Sequence, residues 1–215
     1  MPQNKLTTIG VTGISGSGTS TVAAILEERG GFVAQADKLA HEAMGKTEPA
    51  FAEVIEAFGK EVLNQNGEIN RRALAKLFGN KKELEKLEKI IHPRVIEKTR
   101  ELNKKTADIA AHTFFVIDAP LLIESGMHIM CDSIWLITAP DDLRIARITV
   151  RDKIDEALAK RRLASRKGDD ALRPFAHIII ENNGSAIALR SKTETALKAM
   201  SLKIHGFDGL KVLEI

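Results

Sequence analysis

Cysteine is nearly absent from the 215-residue sequence, in which Cys131 is the single example. One cysteine cannot form an internal disulfide, and a lone cysteine is far more often packed than catalytic, so we assign Cys131 no role. The sequence also lacks an apolar run near the roughly 18 residues of a transmembrane helix, and its first residues lack a signal-peptide hydrophobic stretch. These absences exclude a disulfide-stapled fold and a membrane partner, and they predict a cytoplasmic protein.

The sequence also lacks a large excess of positive over negative charge. The formal net charge is +3, which is too small to indicate a nucleic-acid partner, although the sequence pI of about 8.9 suits a protein with polyphosphate substrates. A content of 44% hydrophobic and 28% charged residues is typical of a globular chain. We expect one α/β domain with an insertion, existing as a monomer or a weak homo-oligomer.

A glycine-rich stretch organises the rest of the chain. Residues 13–21 read Gly-Ile-Ser-Gly-Ser-Gly-Thr-Ser-Thr, and they lie between the apolar run 8–12 and an amphipathic segment ending near Arg29. Glycines at this spacing let successive backbone N–H groups converge on an anion, and the N-terminus of a following helix adds about half a positive charge. The pattern predicts a phosphate-binding loop in which Ser20 takes the position of a Walker A magnesium ligand.

Thr19 departs from the Walker A pattern. A lysine normally stands at this position and reaches the β- and γ-phosphates, whereas threonine is neutral and short. Without the lysine, a turn that merely joins a strand to a helix remains the alternative. The position of the loop after the first strand of an α/β chain favours phosphate binding.

Alternating apolar runs and helical patterns predict the architecture. We expect a parallel sheet flanked by helices, with strands at residues 8–12, 32–35, 113–117, 133–138 and 177–180. Asp37 and Asp118 follow two of these strands, at the edge where α/β sheets bind ligands. Asp37 is either a proton acceptor there or the N-cap of a helix over 38–44, and Asp118 either acts at the site or ends its strand before a short helix.

The remaining segments are helical or basic. Residues 47–111 have helical periodicity and predict an insertion, in which Asn70 caps a helix over 71–78 and His92 with Pro93 interrupts the next one. A helix beginning at Pro140-Asp141 places Arg147 and Arg151 one turn apart, where they can grip a polyphosphate. Residues 152–174 are basic and read either as a closing lid or as a solvated helix.

In order and spacing, these blocks resemble dephospho-coenzyme A kinases over nearly all of residues 7–200. The family loop typically reads Thr-Gly-Gly-Ile-Gly-Ser-Gly-Lys-Ser-Thr, which residues 12–21 match except at Ile14, Ser15 and Thr19. The other matching blocks are 36–41, 71–78, 87–93, 120–125, 147–152 and 182–185. Within or beside them, four residues depart from the family pattern: Gln35, Asn70, Arg166 and His177.

The resemblance implies a P-loop kinase fold with three parts. The nucleotide-binding core would comprise residues 1–46 and 112–204, with the lid at about 152–174. A helical substrate-binding insertion would occupy residues 47–111, and residues 205–215 would form a C-terminal tail to which we assign no structure.

The resemblance also implies transfer of the γ-phosphoryl group of ATP to the ribose 3′-hydroxyl of dephospho-CoA, with Mg²⁺. The implied catalytic residues are Asp37, Arg147, Arg151 and Arg162. The implied nucleotide-binding residues are Gly16, Ser17, Gly18, Thr19, Ser20, Thr21, Asn182 and Gly184, with Ser20 also holding the metal. The implied substrate-binding residues are Arg71, His92, Asp118 and Leu121.

Two functions other than an active dephospho-CoA kinase remain open, and the first of them follows from Thr19. The chain is either a working kinase, in which Arg166 or Lys167 partly replaces the lysine, or a weakened relative that binds nucleotide or CoA in a regulatory or structural role. A different nucleoside or nucleotide kinase would explain the loop but not the Pro-Leu-Leu and Asn-Asn-Gly blocks at 120–122 and 182–184.

Overall fold

The computed structural model describes residues 6–70, 73–74, 80–109, 111–164, 168–204 and 212–215. The chain divides into two compact units, Met1–Val33 with Thr106–Ile215, and Ala34–Lys105. Residues 34–46, which the sequence analysis assigned to the nucleotide-binding core, belong to the second unit.

The strands form one sheet. Their bounds are β1 Thr7–Thr12, β2 Gly31–Gln35, β3 Phe114–Asp118, β4 Ser133–Thr138, β5 Ile178–Glu181 and β6 Leu213–Glu214. The spatial order is β2-β3-β1-β4-β5-β6, and β1 pairs in parallel with both β3 and β4, as β5 does with β4 and β6. The predicted parallel α/β sheet is confirmed, and the ends of each predicted strand lie within one residue of those observed.

The helices connect and flank these strands. Their bounds are α1 Thr19–Glu28, α2 Ala36–Ala43, α3 Pro49–Phe58, α4 Lys81–Ile109, α5 Asp141–Asp152, α6 Glu156–Ala164, α7 Asp169–Leu172 and α8 Ala186–Ile204. Within the described ranges, none has the length and apolarity needed to cross a bilayer. Most of the predicted helix over 71–78 lies outside the described residues.

The sheet alternates its side chains between two apolar layers, as the period of a strand requires. In β4, Trp135 and Ile137 pack with β1 residues and with Val22 of α1 and Leu189 of α8, whereas Leu136 packs on the other layer with Leu172 of α7. Trp135 is completely buried, and its indole Nε1 donates a hydrogen bond to the Ser133 hydroxyl at 3.1 Å. Burial on both faces explains why the strands read as continuous apolar runs.

The tail contains a strand that the sequence analysis did not assign. β6 extends the sheet beside β5, where the Leu213 amide donates to the His177 carbonyl at 3.1 Å and the Ile215 amide donates to the Ile179 carbonyl at 3.0 Å. Its shortness left no periodic signal in the sequence.

The second unit is helical, as predicted. α4 is continuous through Pro93, so the expected interruption at His92 and Pro93 is wrong. The apolar side chains of Leu87, Ile91 and Val95 recur every four residues and keep one buried face across the proline. Pro93 is exposed, so water can satisfy the carbonyl that its missing N–H leaves unpaired.

Candidate active site

The loop between β1 and α1 has the conformation that its glycines permit. Gly16 and Gly18 have positive φ angles of 84° and 103°. A Cβ added to Gly16 would lie 2.8 Å from the carbonyl oxygen of Arg144, so a side chain there would meet both strain and a backbone atom. The Ser17 amide donates to the Ile14 carbonyl at 3.0 Å, which closes the turn. The loop therefore has a fixed shape that requires glycine.

The N-terminus of α1 opens from this loop without a side-chain cap. Its first intrahelical hydrogen bonds run from the amides of Thr21 and Val22 to the carbonyl of Gly18, both at 3.1 Å. The amides of Thr19 and Ser20 precede these bonds and belong to the group that a helix leaves unpaired. Such a terminus binds anions through its N–H groups and its dipole.

Arg147 of α5 and Asn182 after β5 hold the loop in place. The guanidinium of Arg147 donates from Nη1 to the Gly16 carbonyl at 3.1 Å and from Nη2 to the Asn182 carbonyl and side-chain oxygens at 3.2 and 3.3 Å. The Asn182 Nδ2 donates to the Ser17 carbonyl at 2.7 Å, and Asn182 is 7% exposed. These bonds join the phosphate loop to the end of β5.

Arg151, one turn further along α5, also contacts the loop. Its Nη2 donates to the Ser15 hydroxyl at 3.2 Å, and its Nε and Nη2 donate to the two carboxylate oxygens of Asp152 at 2.7 and 3.1 Å. Arg162 of α6 donates from Nη1 to the same carboxylate at 2.8 Å. The side chains of Arg151 and Arg162 are 60% and 51% exposed, so both reach solvent beside the loop.

Opposite charges meet where Arg151 and Arg162 contact Asp152. The hydrogen bond from Arg151 lowers the pKa of Asp152, partial burial opposes this, and the positive charges of both arginines lower it further. The same hydrogen bond raises the pKa of Arg151. With two guanidinium groups and one carboxylate, the group carries one net positive charge.

Thr19 occupies the lysine position with a half-buried, neutral side chain. Its Cγ2 lies 3.2 Å from the point where a Cβ on Gly13 would stand, so the methyl group packs over the start of the loop. Ser20 and Thr21 are exposed on the first turn of α1. Arg166 and Lys167, the expected substitutes for the lysine, lie outside the described residues.

Asp118 ends β3 and Leu121 lies in the turn that follows it, beside the start of the loop. The parallel register places Asp118 opposite Val11, and the Ala119 amide donates to the Val11 carbonyl at 3.1 Å. Asp118 is 8% exposed, whereas Leu121 is partly exposed. Residues 120–126 form turns, so the expected short helix after Asp118 is absent from this described segment.

The second unit contains Asp37 and His41, which lie one turn apart on α2. Gln35 is the N-cap residue, and no side chain caps this helix, so of the two alternatives for Asp37 the N-cap role is wrong. A cavity of about 350 Å³ in the same unit is lined by His41, Glu42, Met44, Gly45, Lys46, Glu68 and Ile69. Asp37 therefore caps no backbone amide of α2, although its carboxylate lies in the first turn, where negative charge is favourable.

The remaining predicted residues have less defined surroundings. His92 lies within α4 and is partly exposed, rather than in a turn. Arg71 lies outside the described residues. Gly184 is exposed in the loop between β5 and α8.

Sequence reasoning missed two polar contacts that the fold creates. Ser15 was treated only as a departure from a pattern, although its hydroxyl accepts from Arg151. His177 was another departure, and its Nδ1 accepts a hydrogen bond from the Ile134 amide at 3.1 Å, which fixes the start of β5 against β4. Each pair is far apart in sequence, so no local signal indicates either contact.

Within the described ranges, no cluster of three or more His, Cys, Asp or Glu side chains is placed to hold a metal ion. The exposed Ser20 hydroxyl fits Mg²⁺ instead, because this ion keeps several waters and binds through few protein oxygens together with substrate phosphates.

Cys131 is not a candidate catalytic nucleophile. Burial, with a smaller contribution from the neighbouring Asp132 carboxylate, raises the pKa of its thiol to about 12. A thiol that stays protonated is a poor nucleophile.

Comparisons with known proteins identify similar chains. The family model described as dephospho-CoA kinase matches residues 7–188. A dephospho-CoA kinase from Fusobacterium nucleatum is 38% identical over 187 residues, which cover 86% of this chain and 94% of that protein. A crystal structure of a Thermus thermophilus protein superposes with a TM-score of 0.74 at 31% identity, covering 94% of this chain and 99% of that one. A dephospho-CoA kinase from Campylobacter jejuni superposes with a TM-score of 0.58 at 25% identity, covering 90% and 96%.

Proposed function

The chain belongs to the dephospho-CoA kinase family, and we propose that it transfers the γ-phosphoryl group of ATP to the ribose 3′-hydroxyl of dephospho-CoA. The observation that supports this most directly is the glycine loop at the uncapped N-terminus of α1, to which Arg147 and Arg151 are hydrogen-bonded. We also propose that the protein acts in the cytoplasm as a monomer or a weak homo-oligomer.

The nucleotide would be held mainly by backbone. The amides of Gly16, Gly18, Thr19 and Ser20 would bind the phosphates, whereas the Ser17 amide keeps its bond to the Ile14 carbonyl. The Thr21 side chain would lie at the edge of this cradle. Residues 182–184 would meet the adenine base at the carboxyl end of β5. The Asn182 amide already bonds to Ser17 and Arg147, so it would link base and phosphate positions more than it would read the base.

The transfer itself requires orientation and neutralisation of charge. The 3′-hydroxyl oxygen would attack the γ-phosphorus while the bond from that phosphorus to the β,γ-bridging oxygen breaks, which releases ADP. Asp37 would accept the proton of the hydroxyl. Arg151 and Arg162 would stabilise the charge on the migrating group, whereas Arg147 would act through the loop that it holds.

Magnesium would be held by the Ser20 hydroxyl and by the nucleotide phosphates. When bound, Mg²⁺ neutralises charge on the β- and γ-phosphate oxygens. We propose that the second unit binds the pantetheine-bearing substrate, and that the residues that contact dephospho-CoA are those the family resemblance implies, Arg71, His92, Asp118 and Leu121.

The experiment is a steady-state assay of the purified protein with ATP, Mg²⁺ and dephospho-CoA. We expect ADP release that matches the formation of CoA by mass spectrometry, together with no turnover of adenosine or AMP. The matched control is Gly16→Val, which places a side chain against the Arg144 backbone and should abolish turnover.

Thr19 supports a second candidate, a nucleotide- or CoA-binding relative with little activity. ATP and dephospho-CoA binding without CoA formation would establish that role and contradict the proposed reaction. Turnover of a different nucleoside or nucleotide would instead assign the chain to another kinase activity.

A further inference from the structure

The contact between Ser15 and Arg151 joins α5 to the phosphate loop. On that loop, Thr19 stands where the Walker A pattern has lysine. The Ser15 hydroxyl can accept a hydrogen bond from a guanidinium. The chain that lacks a cation on its phosphate loop therefore has an acceptor there for an arginine 136 positions away.

Arg151 retains donors for a substrate. In the part of the chain that the structure describes, its hydrogen bonds run from Nε and Nη2 to Asp152 and Ser15. Among the described residues, Nη1 makes no hydrogen bond, and the side chain is 60% exposed. Arg147 is less suited to this task, because both of its terminal nitrogens donate to Gly16 and Asn182.

We propose that Ser15 is a positioning residue that holds Arg151 against the phosphate loop, so that Arg151 supplies the γ-phosphoryl group with the positive charge that a lysine at position 19 would provide. The inference rests on the proposed function, because it assumes that the loop binds the ATP phosphates. Arg162 supports the arrangement, since its Nη1 donates to the Asp152 Oδ2 that also accepts from Arg151.

The contact acts by restricting a flexible side chain before substrate arrives. An exposed arginine loses much rotamer freedom when it binds a phosphate. Two anchors, Asp152 along the helix and Ser15 on the loop, remove part of that freedom in advance, and such preorganisation favours the transition state. Losing Ser15 should therefore lower kcat more than it raises the KM for ATP.

The experiment is a double-mutant cycle of Ser15→Ala and Arg151→Ala. Removing one hydrogen bond to the guanidinium should lower kcat about threefold to tenfold. Ser15→Ala should have no further effect once Arg151 is alanine. Ser15→Thr keeps the hydroxyl and should retain activity, and Thr195→Ala, which removes an exposed hydroxyl from α8, should leave kcat unchanged.

Thr19→Lys provides an independent arm of the same test. If lysine and Arg151 supply the same charge, Ser15→Ala should cost less than about twofold in the Thr19→Lys protein. An equal cost in both backgrounds would overturn the inference, as would an equal effect of Ser15→Ala with and without Arg151. A Ser15→Thr protein as impaired as Ser15→Ala would also overturn it.

Calorimetry with ATP separates this inference from the proposed function. If the protein binds ATP but does not convert dephospho-CoA, the proposed reaction fails and the cycle is measured on ATP affinity instead. Non-additive losses for Ser15→Ala and Arg151→Ala would then support the inference, and additive or absent losses would overturn it. Absence of ATP binding in the unaltered protein would overturn both.

Discussion

At the scale of single residues, Thr19 stands at the position where the Walker A pattern has lysine. We predict that Thr19→Lys raises kcat about tenfold and tightens ATP binding by less, because the added charge acts where negative charge develops in the transition state. Steady-state kinetics and calorimetry of the two proteins measure the two effects.

Thr19→Met is the matched control for the lysine, because it adds length without charge. It should leave kcat at or below that of the unaltered protein. An unchanged kcat in Thr19→Lys would contradict the prediction and would indicate that Arg151 already meets the whole requirement for charge.

Asp37 is the second residue whose substitution separates two roles. We predict that Asp37→Asn lowers kcat by about 10² or more, since an amide cannot accept the proton of the acceptor hydroxyl. The melting temperature should barely move, because the N-cap of α2 is Gln35 and Asp37 makes no capping bond. Kinetics and calorimetric melting of one preparation give both values, and intact activity would show that Asp37 is not the proton acceptor.

The phosphate loop shows what a sequence can indicate at this scale. The spacing of Gly13, Gly16 and Gly18 predicted the loop, because positive φ angles and close backbone approach are local demands on residue type. The partners of Ser15 and Asn182 were not predictable. Those contacts depend on α5 and on the end of β5, which approach the loop only in the folded chain.

At the scale of elements, the strands were more predictable than the helix ends. A strand buried on both faces is a short apolar run bounded by turn residues, and β4 was predicted with its observed ends, Ser133 and Thr138. α4 was predicted with an interruption, because Pro93 removes a backbone donor. The buried face of Leu87, Ile91 and Val95 continues through it and outweighs that loss.

The ion pair between Arg144 of α5 and Asp169 of α7 gives a prediction at the same scale. The Arg144 side chain is 4% exposed and that of Asp169 is 19% exposed, and the backbone of Arg144 packs on Gly16. We predict that Asp169→Ala lowers the free energy of unfolding by about 3 kcal/mol, because it leaves a buried guanidinium with little compensation. Denaturation in urea measures the change.

Asp170→Ala is the control for that substitution, since the neighbouring Asp170 side chain is fully exposed and meets Arg173 only at 3.7 Å. It should leave the urea midpoint unchanged. Equal effects of the two substitutions would contradict a specific role for the buried pair and would point to the helical start of α7 instead.

At the scale of the whole molecule, nucleotide binding should stabilise the unit that contains the phosphate loop. We predict that ATP with Mg²⁺ at about a hundredfold excess over its Kd adds about 2.7 kcal/mol to the free energy of unfolding of that unit. This corresponds to an increase of about 5–10 °C in Tm for a chain of this size. Differential scanning calorimetry measures the increase.

Adenosine is the control ligand for the melting experiment, because it lacks the phosphates that the loop would bind. It should raise Tm by much less than ATP, and the Gly16→Val protein should show no increase with ATP. Equal increases for adenosine and ATP would contradict phosphate binding by the loop.

Trp135 allows the unfolding of the two units to be followed separately by spectroscopy. It is the single tryptophan of a sequence without tyrosine, and it is completely buried in β4, between β1 and β5. Tryptophan fluorescence therefore reports on the sheet alone, and the unit Ala34–Lys105 contributes nothing to it because it contains no tryptophan. Far-ultraviolet circular dichroism follows the helices of both units. A difference between the two signals during denaturation would measure how far the helical unit melts independently of the sheet.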